Sequence, residues 1–141
     1  MGCDIHLYAE IKQDGKWVSA DKWSADPWDD GDAQCVEIKW NDRLYNGRNY
    51  ALFGVLAGVR DRSQLLISRP RGLPKDISLE VRKRSDDYGS DGHSHSWLTL
   101  AELLAYDWSE CERIEGWRQA LSKLQKLGDP NAVRIVFFFD N

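Results

Sequence analysis

Apolar Cys3, Ile5, Leu7, Ala9 and Ile11 alternate with polar Asp4, His6, Tyr8, Glu10 and Lys12, the period of two expected of a strand with one buried face. The polar side of that strand carries Asp4, His6, Tyr8 and Glu10 in a row. Asp14-Gly15 is a type I′ turn pair, and Lys16-Trp17-Val18 would return as the second strand of a hairpin. Residues 20–34 hold Asp21, Asp26, Asp29, Asp30 and Asp32 around Trp23, Pro27 and Trp28 without any period, which predicts a loop. Residues 35–40 alternate again and suggest a short strand.

From Asn49 the period changes to that of a helix. Leu52, Phe53, Leu56 and Ala57 share a face, Asn49 is placed to cap the start and Gly58 to end it. Two prolines and a glycine in residues 69–74 rule out regular structure and leave an ordered loop bearing Arg69 and Arg71. Residues 77–81 fit a short helix or a short strand, and residues 85–96 read as a polar loop. Thr99-Leu100-Ala101-Glu102 is a capping box that should open a helix. Ser109-Glu110-Cys111-Glu112 offers another, ahead of Ile114, Trp117, Leu121, Leu124 and Leu127 on one face and Gly128 as a stop. Residues 133–139 form a β-rich apolar run that suits a central strand. Asp140 and Asn141 emerge at its end.

These elements predict one α+β domain over residues 1–141: a small mixed or antiparallel sheet, built from the N-terminal hairpin and the C-terminal strand, with about three helices on one face. Composition agrees. With 42% hydrophobic and 30% charged residues and a net charge of -4, the chain has the makings of a soluble globular protein. It lacks the basic surface that a grip on long nucleic acid needs. A local arginine cluster could still hold a small anion.

Three cysteines, Cys3, Cys35 and Cys111, are odd in number and contain no C-x-x-C pair, so neither a disulfide framework nor a cysteine-rich zinc module is indicated. Cys3 falls on the core side of its strand and reads as structural. Early charges at Asp4 and Glu10 do not suit a secretory leader, His6 stands where a myristoylation motif wants Ser or Thr, and no apolar run reaches bilayer length. The expected location is cytoplasmic, with no membrane partner.

All three histidines lie in two polar clusters, His6 in Cys3-Asp4-Ile5-His6 and His93 and His95 in Asp91-Gly92-His93-Ser94-His95-Ser96. Imidazole is the side chain best suited to ligate a transition metal or move a proton near neutral pH. In an extended segment His93 and His95 would point to the same side. His6 could join them as a third ligand for Zn or Mn, with Asp4 as a fourth ligand or as the group that orients an imidazole. The same residues, His6, Asp4, His93 and His95, could instead work as a metal-free acid and base beside the Thr99 helix, whose N-terminus attracts anions. The plainest alternative makes them hydrogen-bonding residues of a solvated loop and of a local network.

Arg48, Arg60, Arg62, Arg69 and Arg71 flank the first helix and the proline loop. A guanidinium fork suits phosphate or carboxylate, although ion pairs with the many Asp residues would serve any one of them equally well. Arg48, Arg69 and Arg71, with Tyr8 from the polar strand face and Trp28 as a stacking surface, make the expected ligand-binding set. Trp97 and Trp117 suit core packing. Trp23 and Trp28 fit no period and could stack on a nucleobase or pack beneath the acidic loop. The spacing of Asp29-Asp30-Gly31-Asp32 is not that of an EF-hand.

The blocks Met1-Gly2-Cys3-Asp4-Ile5-His6, Arg48-Asn49-Tyr50-Ala51-Leu52-Phe53, Arg71-Gly72-Leu73-Pro74, His93-Ser94-His95-Ser96-Trp97-Leu98-Thr99-Leu100 and Phe139-Asp140-Asn141 resemble a family of small proteins found in tailed-phage and bacterial genomes. That resemblance implies an origin, and with it the cytoplasm of a bacterial host, but carries no activity across. A phage setting implies an anti-defence role by context alone. The expectation is then a pocket that binds and hydrolyses a phosphate-bearing, nucleotide-like small molecule, in a protein that could also form an oligomer. Two alternatives stand beside it: capture of a nucleotide immune signal without turnover, and inhibition of a host protein through the acidic Trp23 to Asp32 segment.

Overall fold

A computed structural model describes residues 2–25 and 36–141. Strands β1 (Asp4–Gln13) and β2 (Lys16–Ser19) form the expected hairpin, with Asp14 and Gly15 in the left-handed region at φ 51° and 79° as a type I′ turn requires. A two-stranded ribbon follows, β3 (Ser24–Ala25) against β4 (Val36–Glu37), and then a 3₁₀ turn, Trp40–Asp42. The strand expected over residues 35–40 is thus confined to its middle, and Cys35 lies outside the described residues.

Helix α1 (Tyr50–Ala57) starts where Asn49 Oδ1 accepts the Leu52 N–H and stops at Gly58, φ 69°. Helix α2 (Leu79–Tyr88), strand β5 (Gly92–Thr99), helix α3 (Leu100–Ala105), helix α4 (Glu115–Gln125) and strand β6 (Val133–Asp140) complete the chain. The larger sheet is antiparallel and open, in the order β2-β1-β6-β5. Its centre is the strand that reads as an apolar run, because β6 is covered on both faces. Phe137 and Phe139 join α1, α3 and α4 in the main core, whereas Val136 and Phe138 meet Val81 of α2 and Ile77 on the other side.

Four expectations need correction. Residues 85–96 are not a loop: their first part continues α2, and their second is β5, hydrogen-bonded to β6. Only Val81 and Ser85 of α2 are buried, one turn apart, so its polar composition concealed a helix that touches the sheet through a narrow stripe. The second capping box does not form, since Ser109 turns back to bond Asp107 through both its N–H and its hydroxyl, and α4 begins at Glu115. Three α-helices do share one face, but α2 covers part of the other, and the polar side of β1 is therefore open to water only at its start: Asp4 is exposed, whereas Tyr8 and Glu10 are buried.

Burial of Glu10 is compensated across the strand pair. Arg134, its register partner on β6, places Nε 2.8 Å and Nη2 2.7 Å from Glu10 Oε1, while Glu10 Oε2 accepts the Ser78 N–H at 2.8 Å. Asp76 accepts from Arg134 Nη1 at 3.0 Å, and the guanidinium lies 4.1 Å from the centre of the Trp17 ring. The network ties both central strands to the segment leading into α2. On the outer side of β5 the proline loop docks through Gly72 N–H to the His95 carbonyl and Arg71 N–H to Ser96 Oγ, which covers part of an otherwise open edge.

Candidate functional site

The three histidines all reach one end of the sheet, where β1 and β5 begin and β6 ends, but they do not meet. A bulge in β5 between His93 and Ser96 puts Ser94 at φ 55° and breaks the alternation. His95 consequently stacks on Phe138, ring centres 5.3 Å apart, while His93 stacks on Phe139 on the opposite face, 6.1 Å away. His6 lies on the His95 face but on the other flank of Phe138, at 5.1 Å. The central strand stands between them. Among the described residues no group of three His, Cys, Asp or Glu side chains is disposed to hold a metal ion, so the ligand set His6, His93 and His95 for Zn or Mn is not assembled.

His6 has a different partner from the one expected. Its Nε2 lies 2.7 Å from Asp140 Oδ1, and its ring packs 4.3 Å from that of Tyr88. Burial pushes the imidazole below its ordinary pKa, against the opposing pull of Asp140, while Arg43 and Arg84 press in the same direction as burial. Asp4, the expected orienting group, pairs instead with Arg48, which donates Nε at 3.0 Å and Nη2 at 2.7 Å to one carboxylate oxygen. Asp4 and Asp140 are register partners, and each of these facing carboxylates has its own partner, Arg48 for Asp4 and His6 for Asp140. Asp140 could be read in the sequence only as the end of a strand. Its role depends on β6 lying antiparallel beside β1, and no local pattern encodes that order.

Arg71 is engaged in the scaffold. Its guanidinium forms a two-pronged pair with Glu102, donates to the Trp97 carbonyl and lies 4.7 Å from the Trp97 ring centre. Glu102 is also the returning acid of the Thr99 capping box, and Arg71 holds its carboxyl down to about 2. Arg69 is exposed on the same loop, on the outer side of β5. Tyr8 is buried against Trp23 and Phe138, and burial raises its phenol. Trp28 and the acidic stretch around it lie outside the described residues. Arg60 and Arg62 line a shallow pocket with His93, Ser94 and Asn141 across the sheet from His6.

Another depression in the surface is richer in basic groups, and only Arg48 of the expected set belongs to it. Segment 41–50, Arg113 and a stripe of α4 from Gly116 through Gln119 to Lys123 line a cleft of about 620 Å³. Arg43, Arg48, Arg113 and Lys123 contribute four cations to it, and no described carboxylate lines it. Asn49 and Tyr50 at the start of α1, and Gly116 in the first turn of α4, also line it, so two helix N-termini add their positive ends. Asn49 pins the wall by donating its amide to the Glu112 and Arg113 carbonyls at 3.0 and 3.1 Å. Arg113 is held at φ 58°, a conformation that L-residues seldom adopt outside structurally determined sites.

No protein-family model, curated protein or solved structure matches this chain. Among the described residues no helix is long and apolar enough to cross a membrane.

Behind the cleft, Arg43 and Tyr45 also line a cavity of about 20 Å³ with His6, Tyr8 and Arg84. That volume suits one water, and its walls offer several polar partners. Sequence reasoning missed Arg43, Arg113 and Lys123. They are separated by up to eighty residues and have no spacing that distinguishes them from solvated charges, which Arg113 and Lys123 resemble in being exposed.

Proposed function

We propose that this protein binds a phosphate-bearing small molecule in the cleft formed by Arg43, Arg48, Arg113 and Lys123. One observation carries the reading: Arg43, Arg113, Lys123 and Arg48, the last also paired with Asp4 at 2.7 Å, line one cleft together with two helix N-termini, with no carboxylate among its described lining residues, in a chain whose net charge is -4. A phosphate entering there exchanges water for charge-assisted donors. The cleft supports capture more directly than turnover, because its described walls are guanidinium, ammonium, amide, phenol and aliphatic groups with no carboxylate, imidazole or thiol. In the phage setting implied by the sequence resemblance, that favours sequestration of a nucleotide-like signal.

Calorimetric titration of the full chain with inorganic pyrophosphate tests this. Arg113→Ala and Lys123→Ala should each weaken binding about tenfold, as expected for loss of one charge-assisted contact, and Arg62→Ala, outside the cleft, should not. Equal affinities in all four proteins would overturn the reading.

Hydrolysis remains a second reading, favoured by the His6 and Asp140 pair beside the water-sized cavity. There Asp140 would fix the imidazole orientation and His6 would take a proton from water. Only 13% of the His6 side chain is exposed, so a scissile phosphate would have to approach past Arg43 and Tyr45. Incubation with nucleotides, denaturation and chromatography separates the readings. Intact ligand released from the protein means capture, and product formation abolished by His6→Gln means hydrolysis.

A further inference from the structure

We infer that the cleft is built for a nucleotide, and that Trp40 is the surface on which its base stacks. The inference rests on the cleft being a phosphate site and names the remainder of the ligand. Trp40 is 59% exposed, and among the described tryptophans it is the one left to solvent; Trp108 and Trp117 are buried and Trp17, Trp23 and Trp97 half-buried. It opens the 3₁₀ turn that leads into the cleft wall at Asn41 and Arg43. The Arg43 guanidinium lies 5.0 Å from the centre of the indole, and Asn46 donates its amide to the Trp40 carbonyl at 3.4 Å, so two cleft residues contact this tryptophan, which directly precedes the cleft wall in the chain.

The wall chemistry points the same way. An ionised phosphate accepts hydrogen bonds and offers none, so a site made for phosphate alone needs only donors. This cleft also presents the carboxamides of Asn41, Asn46 and Gln119. Each side-chain carbonyl can accept from a ligand donor in place of water, such as a ribose hydroxyl or an N–H on a base edge. A ligand with an anionic end, hydroxyls in the middle and a flat aromatic end satisfies the cations, the amides and Trp40 together. Stacking on an aromatic side chain tolerates any base, since every base has a π-face.

The test titrates the full chain with AMP, GMP, UMP and CMP, using ribose 5-phosphate as the same ligand without a base. At least one nucleotide should bind about tenfold or more tighter than ribose 5-phosphate, a margin typical of one base–aromatic stack. Trp40→Ala should erase that margin, so that nucleotides and ribose 5-phosphate bind the variant alike, and Trp40→Phe should retain most of it. Ribose 5-phosphate binding as tightly as every nucleotide, or a margin that survives Trp40→Ala, would overturn the inference. Loss of the phosphate site itself would appear separately, as ribose 5-phosphate binding insensitive to Arg113→Ala and Lys123→Ala.

Discussion

His93 and His95 are two residues apart on one strand and lie on opposite faces of the sheet. Ser94 produces this inversion by taking φ 55° in the bulge, while its hydroxyl sits 3.0 Å from His93 Nδ1. An L-residue in that region costs about 1–2 kcal/mol, and glycine avoids the cost but loses more freedom on folding. Ser94→Gly should therefore stabilise the protein by about 0.5–1 kcal/mol, and Ser94→Val should destabilise it by more than about 1 kcal/mol. Thermal denaturation measures both. Destabilisation by glycine as large as by valine would mean that the hydroxyl, and not the backbone, governs the bulge.

Glu10 and Arg134 should be the least replaceable polar residues among those described. Their side chains are 0% and 3% exposed, so removing one partner strands a buried charge, at a cost of about 3–5 kcal/mol. Glu10→Gln also weakens the acceptor for Ser78 N–H, and we expect it to unfold the chain at much lower urea than the wild type. Glu102→Gln offers a contrast. Its pair with Arg71 is about a third exposed and glutamine keeps the capping-box acceptor, so the loss should be only about 0.2–1 kcal/mol. A urea midpoint shift of equal size in both variants would contradict this ranking.

Where burial followed period, the sequence was transparent. The β1–β2 hairpin, the Asn49 cap of α1, the Thr99 capping box and the apolar strand β6 all announce themselves through local chemistry, and each is present. What stayed hidden was long-range. Glu10 looks like a water-facing residue until Arg134 is placed beside it, and His95 looks like a neighbour of His93 until the bulge is known. Helix α2 has too few apolar residues to register as amphipathic, yet its Val81 joins Ile38 and Ile77 in covering the second face. The cleft cations come from segments far apart in the chain, and the turns around Arg43 and Arg113 that bring them together have no diagnostic composition.

Asp21 should make stability depend on pH in the direction opposite to most carboxylates. Its Oδ2 accepts the Ala9 N–H at 2.8 Å beside the edge of β1, and burial, with Glu10 nearby, pushes its carboxyl up to about 7. The folded state then holds the proton over a range in which the unfolded chain has released it. This contribution is complete below about 3.8 and is lost as pH rises towards about 7. We expect it to be on the order of 1–2 kcal/mol, because the residue keeps some contact with water. Asp21→Asn retains an acceptor for Ala9 and should flatten stability between those limits in urea denaturation series. An unchanged pH slope would show that Asp21 titrates normally.

The His6 and Asp140 pair gives the complementary case, with the sign reversed. Burial holds the folded-state imidazole below its ordinary 6.5, so the unfolded chain takes up the proton first as pH falls. Stability from this group is therefore present above 6.5 and declines as pH drops through 6.5 towards the folded value. Asp140 opposes the burial effect, and Asp140→Asn removes a charge that favours the imidazolium while keeping an oxygen for the hydrogen bond. The His6 midpoint, followed by the ring-proton shifts in NMR, should move further down. Acid destabilisation of the variant should deepen in step. A midpoint that rises instead would mean that burial does not control His6, and that the neutral imidazole required by the hydrolytic reading is not the form this fold selects.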